Sequence, residues 1–262
     1  MKKTVKKLLK RILITLLSLV VLIISILGII IMKAYSKLPP VDALATCRPR
    51  IDGLDQEWVK ELGKQYQTCT KIEDFPVNLK NAVIAAEDKR FYQHSGVDII
   101  SIGRGIFGNI ANKPVAGTST IAHQISRQIN LTDNNTSRSQ FYMLLSAYKI
   151  EQNFSKDEIL GFYLNQVYMG KKAYGFPIAS QVYFGKNVSE LTLAQSAMLA
   201  SLPRGPSAFN PVDRPKRARA RQMLVLENMK QLGFINQTQF DQAKNEVLVY
   251  KIAKTENNAL GL

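Results

Sequence analysis

The chain opens with two blocks of opposite character. Residues 1 to 11 carry Lys2, Lys3, Lys6, Lys7, Lys10 and Arg11, whereas residues 12 to 32, ILITLLSLVVLIISILGIIIM, carry no charge. Only Thr15, Ser18, Ser25 and Gly28 interrupt that aliphatic run. At 1.5 Å per helical residue it reaches about 31 Å, enough to cross a hydrocarbon core and longer than the apolar stretch of a signal peptide. The pattern predicts a membrane-spanning anchor rather than a cleaved leader. The basic flank predicts that everything after Lys33 lies on the non-cytoplasmic side.

Residues 33 to 77 are mixed: KLPPVDAL gives a stiff exit, and a polar stretch without clear periodicity follows. From Leu79 the pattern turns helical. Leu79, Val83 and Ile84 share one face, and Ser155 stands three residues before Glu158, a capping box ahead of Ile159, Leu160, Tyr163 and Leu164. Thr192 with Gln195 repeats the signal before an Ala- and Leu-rich segment that should stop near Pro203. Asn236 with Gln239 repeats it again after Gly233. Alternating strand patterns are few. The expectation is one mostly α domain over residues 78–250, with a tail over 251–262, and no repeat or heptad array.

Charge narrows the surroundings. Six of the net +15 charges belong to the basic N-terminus, leaving +9 for anionic lipid head groups, diphosphates or nucleic acid. The anchor puts nucleic acid last. Cys47 and Cys69 are the only cysteines; outside the cytoplasm they suit a disulfide, with two reduced thiols as the alternative, and their spacing fits no metal cluster.

Two stretches concentrate polar chemistry. In AAEDKRFYQHSGVD, residues 85–98, an apolar helical run ends at Glu87 and Asp88. A carboxylate at such an edge serves either as a general base, its pKa raised by partial desolvation, or as a surface partner of Lys89 or Arg90. In VAGTSTIAHQISRQINLTDNNTSR, residues 115–138, Gly117 permits an unusual turn, and Ser119 or Thr120 can cap a helix whose free amides attract an anion. His123 and Arg127, like Gln124 and Gln128, then stand one turn apart. That face suits phosphate, and it equally suits plain solvent.

These motifs strongly resemble the peptidoglycan glycosyltransferase family of penicillin-binding proteins, in particular its monofunctional biosynthetic transglycosylases. The family pattern Glu-Asp, two residues, Phe, two residues, His, one residue, Gly is met by Glu87, Asp88, Phe91, His94 and Gly96. Its Gly-x-Ser-Thr-Ile segment is met by Gly117, Ser119, Thr120 and Ile121, followed by Gln124 and Arg127. A later segment is met by Glu151, Ser155 through Leu160, Tyr163, Leu164 and Asn165, and Tyr174-Gly175 and Tyr183 through Lys186 complete the order. The resemblance covers roughly residues 78 to 235 and extends to the anchor.

The resemblance implies a lysozyme-like helical fold at the outer face of a bacterial cytoplasmic (inner) membrane, polymerising lipid II into uncrosslinked glycan strands. Glu87 would take the proton from the acceptor hydroxyl, and Asp88, Ser119, Gln124 and Arg127 would serve the substrate. Phe91, His94, Gly96, Gly117, Thr120 and Asn165 would give structural support. Mg²⁺ or Mn²⁺ bridging the diphosphate, with Asp88 as its protein contact, is the implied cofactor, and no organic one is expected. Expected partners are lipid II, the growing lipid-linked strand, the membrane and other cell-wall synthases, without nucleic acid.

The chain also departs from the pattern. Ungapped alignment puts Met143 where the family has its second functional glutamate, and Asn135 where a phosphate-contacting arginine is common. Ser139, Gln140, Phe141 and Tyr142 replace a usual Arg-Lys-rich approach; His123 and Gln128 are milder exchanges. Methionine neither transfers a proton nor holds a cation as a carboxylate does. A weakly active or non-catalytic membrane-tethered scaffold is therefore the alternative, ahead of a lysozyme-like hydrolase, which would present two acids across a sugar cleft. Ser146-Ala-Tyr-Lys149 matches Ser-x-x-Lys but lacks a downstream Lys-Thr-Gly, so no crosslinking activity is expected.

Overall fold

The computed structural model describes residues 2–44, 69–98, 100, 103, 119–129 and 136–251. The apolar N-terminus folds as one continuous helix, α1 (Lys2–Ser36), running through both the basic flank and the apolar run. Its stretch Lys10–Ser36 is long and apolar enough to cross a membrane, and its most apolar stretch is not buried by the rest of the protein, whereas Ala34 near its end is. Pro39 and Pro40, which cannot continue a helix, follow its end.

The helical unit comprises α2 (Val77–Glu87), α3 (Ile121–Ile129), α4 (Ser137–Asn153), α5 (Lys156–Gln166), α6 (Phe176–Phe184), α7 (Leu193–Ala200), α8 (Pro215–Gln231) and α9 (Gln237–Asn245). The capping boxes at Ser155, Thr192 and Asn236 all form. A fourth, Thr136 with Ser139, opens α4; with serine at its third position it lacks the Glu or Gln that marks the others in sequence. A short antiparallel hairpin, β1 (Tyr168–Gly170) with β2 (Ala173–Tyr174), turns through Lys171 and Lys172, both at positive φ.

Packing explains where the polar residues end up. The apolar face of α2 (Leu79, Ala82, Val83, Ile84 and Ala85) is buried against α7 and α8, and α3 lies on α4 and α5. From sequence, NLKNAVIA (residues 78–85) and ISIGRGIFGNIA (residues 100–111) suit core packing first and a lipid-facing lining second; the apolar residues of NLKNAVIA are core. Burial of Leu79, Val83 and Ile84, about 1.5–3 kcal/mol each, carries Glu87 inward at the last position of α2. Asn165 fastens the segment before α2: its Oδ1 accepts from the Thr70 amide at 3.0 Å, and its Nδ2 donates to the Thr70 carbonyl at 2.9 Å. Next to Thr70, Cys69 is in a disulfide; Cys47 lies outside the described residues. Ser146 of the Ser-x-x-Lys match is buried within α4.

Candidate functional site

Glu87 is 6% exposed and has one hydrogen-bond partner: Gln124 Nε2 donates to its Oε2 at 2.8 Å. Its Oε1 is buried without a partner among the described residues. Gln124 is fixed in turn, because the fully buried Tyr163 donates its hydroxyl to Gln124 Oε1 at 3.2 Å. With its oxygen committed to Tyr163, the amide can offer Glu87 only its NH₂ group. One helix supplies the carboxylate, α3 the amide and α5 the phenol.

Burial raises the proton affinity of Glu87 above the ordinary carboxylate range. The Gln124 hydrogen bond and the charges of Arg221 and Arg204 pull it down, and Asp88 pushes it further up. A carboxyl so placed holds a proton more readily than an ordinary one and is suited to exchange it, with Oε1 as the available oxygen. Burial also weakens the charged form of Arg221, which Glu87 supports and Arg204 opposes. Arg221 Nε is buried without a hydrogen-bond partner among the described residues, and the guanidinium lies 5.9 Å from the centre of the Phe209 ring. Arg204 is exposed. Two cations beside one desolvated carboxylate form an electropositive surface to which an anion can be drawn.

Asp88 has a different task. His94 Nε2 lies 2.9 Å from both its oxygens, and the Ile121 amide donates to its Oδ2 at 3.1 Å. The His123 amide donates to Thr120 Oγ1, and Thr120 Oγ1 donates to the Gly96 carbonyl at 2.7 Å. The expectation that free amides at this helix start attract a substrate anion therefore needs correction: these two are satisfied within the fold, and the anion at the start of α3 is Asp88 itself. His94 Nδ1 faces Glu151 Oε1 at 3.9 Å, and Glu151 is paired with Lys156 at 2.6 Å. Asp88 thus braces α3 against the Phe91–His94 turn, and through α3 it places Gln124.

The remaining expected residues divide clearly. Phe91 is wholly buried, with Lys156 Nζ 4.6 Å from its ring centre. Gly96 has φ +84°, and a Cβ there would stand 2.7 Å from the Ala147 carbonyl oxygen of α4. Ser119 and Gln124 are half-buried and Arg127 is exposed. His123 is buried with Nε2 unpartnered; burial first, and then the Arg127 charge, lower its proton affinity. Met143 is 6% exposed in α4. Gly117, Asn135 and nearly all of ISIGRGIFGNIA lie outside the described residues. For a metal, the donor set fits poorly: no group of three His, Cys, Asp or Glu converges among the described residues, and Asp88 is already engaged.

The sequence reading of Tyr163, as one of the apolar residues following the Ser155 cap and part of a family motif, does not reveal its contact with Gln124, and Arg204 and Arg221 do not enter that reading at all. Arg221 was discernible by period: it stands three residues after Ala218 and four before Val225, both fully buried. Arg204 follows the Leu202-Pro203 stop of α7 and carries no comparable signal.

The Transglycosylase family profile matches residues 55–230. Penicillin-binding protein 1A of Neisseria gonorrhoeae is 46% identical over 244 residues, covering 90% of this chain and 31% of that protein. A Cupriavidus necator protein assigned by name to the transglycosylases is 40% identical over 233 residues, covering 87% of this chain and 94% of that one. The crystal structure of Penicillin-Binding Protein 1A from Haemophilus influenzae is 24% identical, with a TM-score of 0.43, covering 70% of this chain and 18% of that one. The chain thus spans about a third of the penicillin-binding proteins it matches and nearly all of its shorter relative. With Glu87 and the helices from α2 to α7 inside the matched span, the chain belongs to the Transglycosylase family.

Proposed function

We propose that this protein polymerises lipid II into glycan strands at the outer face of a bacterial cytoplasmic membrane, held there by α1 as a single-pass anchor. The observation that carries the reading is Glu87, desolvated, held by Gln124, with Oε1 unpartnered and two arginines influencing it. Glu87 accepts the proton of the acceptor sugar's 4-hydroxyl. The freed oxygen forms a bond to C1 of the donor sugar, with inversion, while the C1–O bond to the lipid diphosphate breaks and its electron pair leaves with the diphosphate. Arg221, Arg204 and Arg127 supply positive charge and directed donors for that leaving group. No step is assigned to a metal ion.

Met143 supports a second reading. Where the family has a carboxylate, this chain has a buried thioether that neither donates nor accepts a proton. A weakly active or lipid II-binding scaffold is consistent with that exchange. The deciding experiment is a quantitative lipid II polymerisation assay of the full chain and of Glu87→Gln. Glycan polymer lost by roughly 10²-fold in the variant supports the transfer mechanism. Equal activity removes Glu87 as base, and lipid II binding without polymer from the parent favours the scaffold.

A further inference from the structure

A cleft of about 290 Å³ lies where the outer end of α1 meets the start of α4, lined by Ile30, Lys33, Ala34, Lys37, Phe141 and Tyr142. The four residues from the α1 side recur at i, i+3, i+4 and i+7, so they form one stripe facing α4. Chemistry changes along this stripe, from Ile30 within the apolar span to the cationic Lys33 and Lys37 at its end. On the α4 side, Phe141 is 37% exposed and meets Tyr142 edge-on, with ring centres 6.2 Å apart. The junction is built. Lys149, further along α4, donates from Nζ to the Pro39 carbonyl at 3.2 Å and stands 5.7 Å from the centre of the Tyr35 ring, while Ala34 and Leu38 are buried. The cleft therefore lies between two elements that are already docked.

An occupant must have an apolar chain on the membrane side and an anionic group on the water side. We propose that this cleft binds one anionic phospholipid of the surrounding bilayer, with an acyl chain against Ile30, Ala34 and Phe141 and its phosphate between Lys33 and Lys37. The inference rests on α1 spanning the membrane, as read above, and not on the glycosyl transfer. Lysines at the end of a spanning helix reach the head-group level along their aliphatic stems. A cleft open to the bilayer also meets bulk lipid in great excess over any lipid-linked substrate, so mass action favours the phospholipid. This assigns a use to Phe141 and Tyr142, which stand where the resemblance leads one to expect basic residues.

The test reconstitutes the full chain in phosphatidylcholine nanodiscs containing phosphatidylglycerol, strips lipid stepwise with detergent, and counts retained lipids by native mass spectrometry. The expected result is one phosphatidylglycerol retained in preference to phosphatidylcholine. Lys33→Gln with Lys37→Gln should cut that preference by roughly tenfold or more. Phe141→Ala should shorten retention of both lipids, and circular dichroism of each variant should remain that of the parent. Equal retention of the two lipids by the parent, or an unchanged preference in the double lysine variant, overturns the proposal. Stoichiometric displacement of phosphatidylglycerol by added polyprenyl diphosphate also overturns it, because the cleft would then serve the substrate's tail. Failure of the chain to enter the nanodisc would sink both this inference and the anchor reading. Polymerisation on the same samples separates it from the catalytic reading: lost polymer with phosphatidylglycerol retained counts against the latter alone.

Discussion

Replacing Tyr163 with Phe removes one hydroxyl from a fully buried position and leaves ring packing intact. The lost hydrogen bond, 3.2 Å to Gln124 Oε1, is worth about 1 kcal/mol and is the contact that tells the Gln124 amide which way to face. Once it is gone, the amide can turn its oxygen toward Glu87, withdrawing the 2.8 Å hydrogen bond that favours the carboxylate. An effect of about 1 kcal/mol on the charged form corresponds to about 0.7 pKa units, upward for Glu87 because its anion loses support. Arg221, Arg204 and Asp88 remain in place, so their contributions persist. The assay is the pH profile of lipid II polymerisation. Its acid limb, where Glu87 must lose its proton to act as base, should move up by roughly half to one unit, giving about a fivefold loss well below the limb and little change above it. A rate lowered equally at every pH, with the limb unmoved, would refute the orienting role and leave Tyr163 as packing.

The other predictions read different parts of the site. Because the folded-state pKa of Glu87 is raised, its contribution to stability is full below about 4.5 and is lost as pH rises through the folded value; Glu87→Gln should therefore gain thermal stability over the parent at pH 8 and not at pH 4, as read by the melting temperature. Gly96→Ala should destabilise by roughly 2 kcal/mol or more, measured by urea unfolding, since the added carbon meets the Ala147 carbonyl at 2.7 Å and φ is +84°. Met143→Glu should raise polymerisation modestly while lowering stability by roughly 1–3 kcal/mol, because the new carboxylate enters a position only 6% exposed. Unchanged polymerisation in that variant would mean that the methionine does not limit the reaction.

Much of the scaffold was legible because local signals and burial agree. Ser155, Thr192 and Asn236 each announce a helix through a reciprocal cap that needs only nearby residues. The hairpin was not legible, since its turn is Lys171-Lys172 rather than the Asn-Gly or Asp-Gly that ordinarily marks positive φ. At the site, Glu87, Asp88 and Gln124 lie in compact motifs, whereas Tyr163 stands 39 residues from the amide it orients. Its sequence neighbours speak of core packing, and only the assembled α5 brings the hydroxyl to Gln124. Likewise Arg221, half-buried, sits close to Arg214 and Arg217, which share its charge but are exposed.

The grip of Lys149 on the Leu38 and Pro39 carbonyls has a mechanical consequence. A chain leaving a membrane helix ordinarily acts as slack, letting the attached domain swivel and bob. Here the exit is clasped by the helix that carries Met143 two turns earlier, and the two prolines stiffen what remains. The connection is a strut, and it fixes how far the Glu87-bearing helices stand from the end of α1. An added residue in Lys37–Pro40 would be felt as a lost docking contact rather than as extra reach.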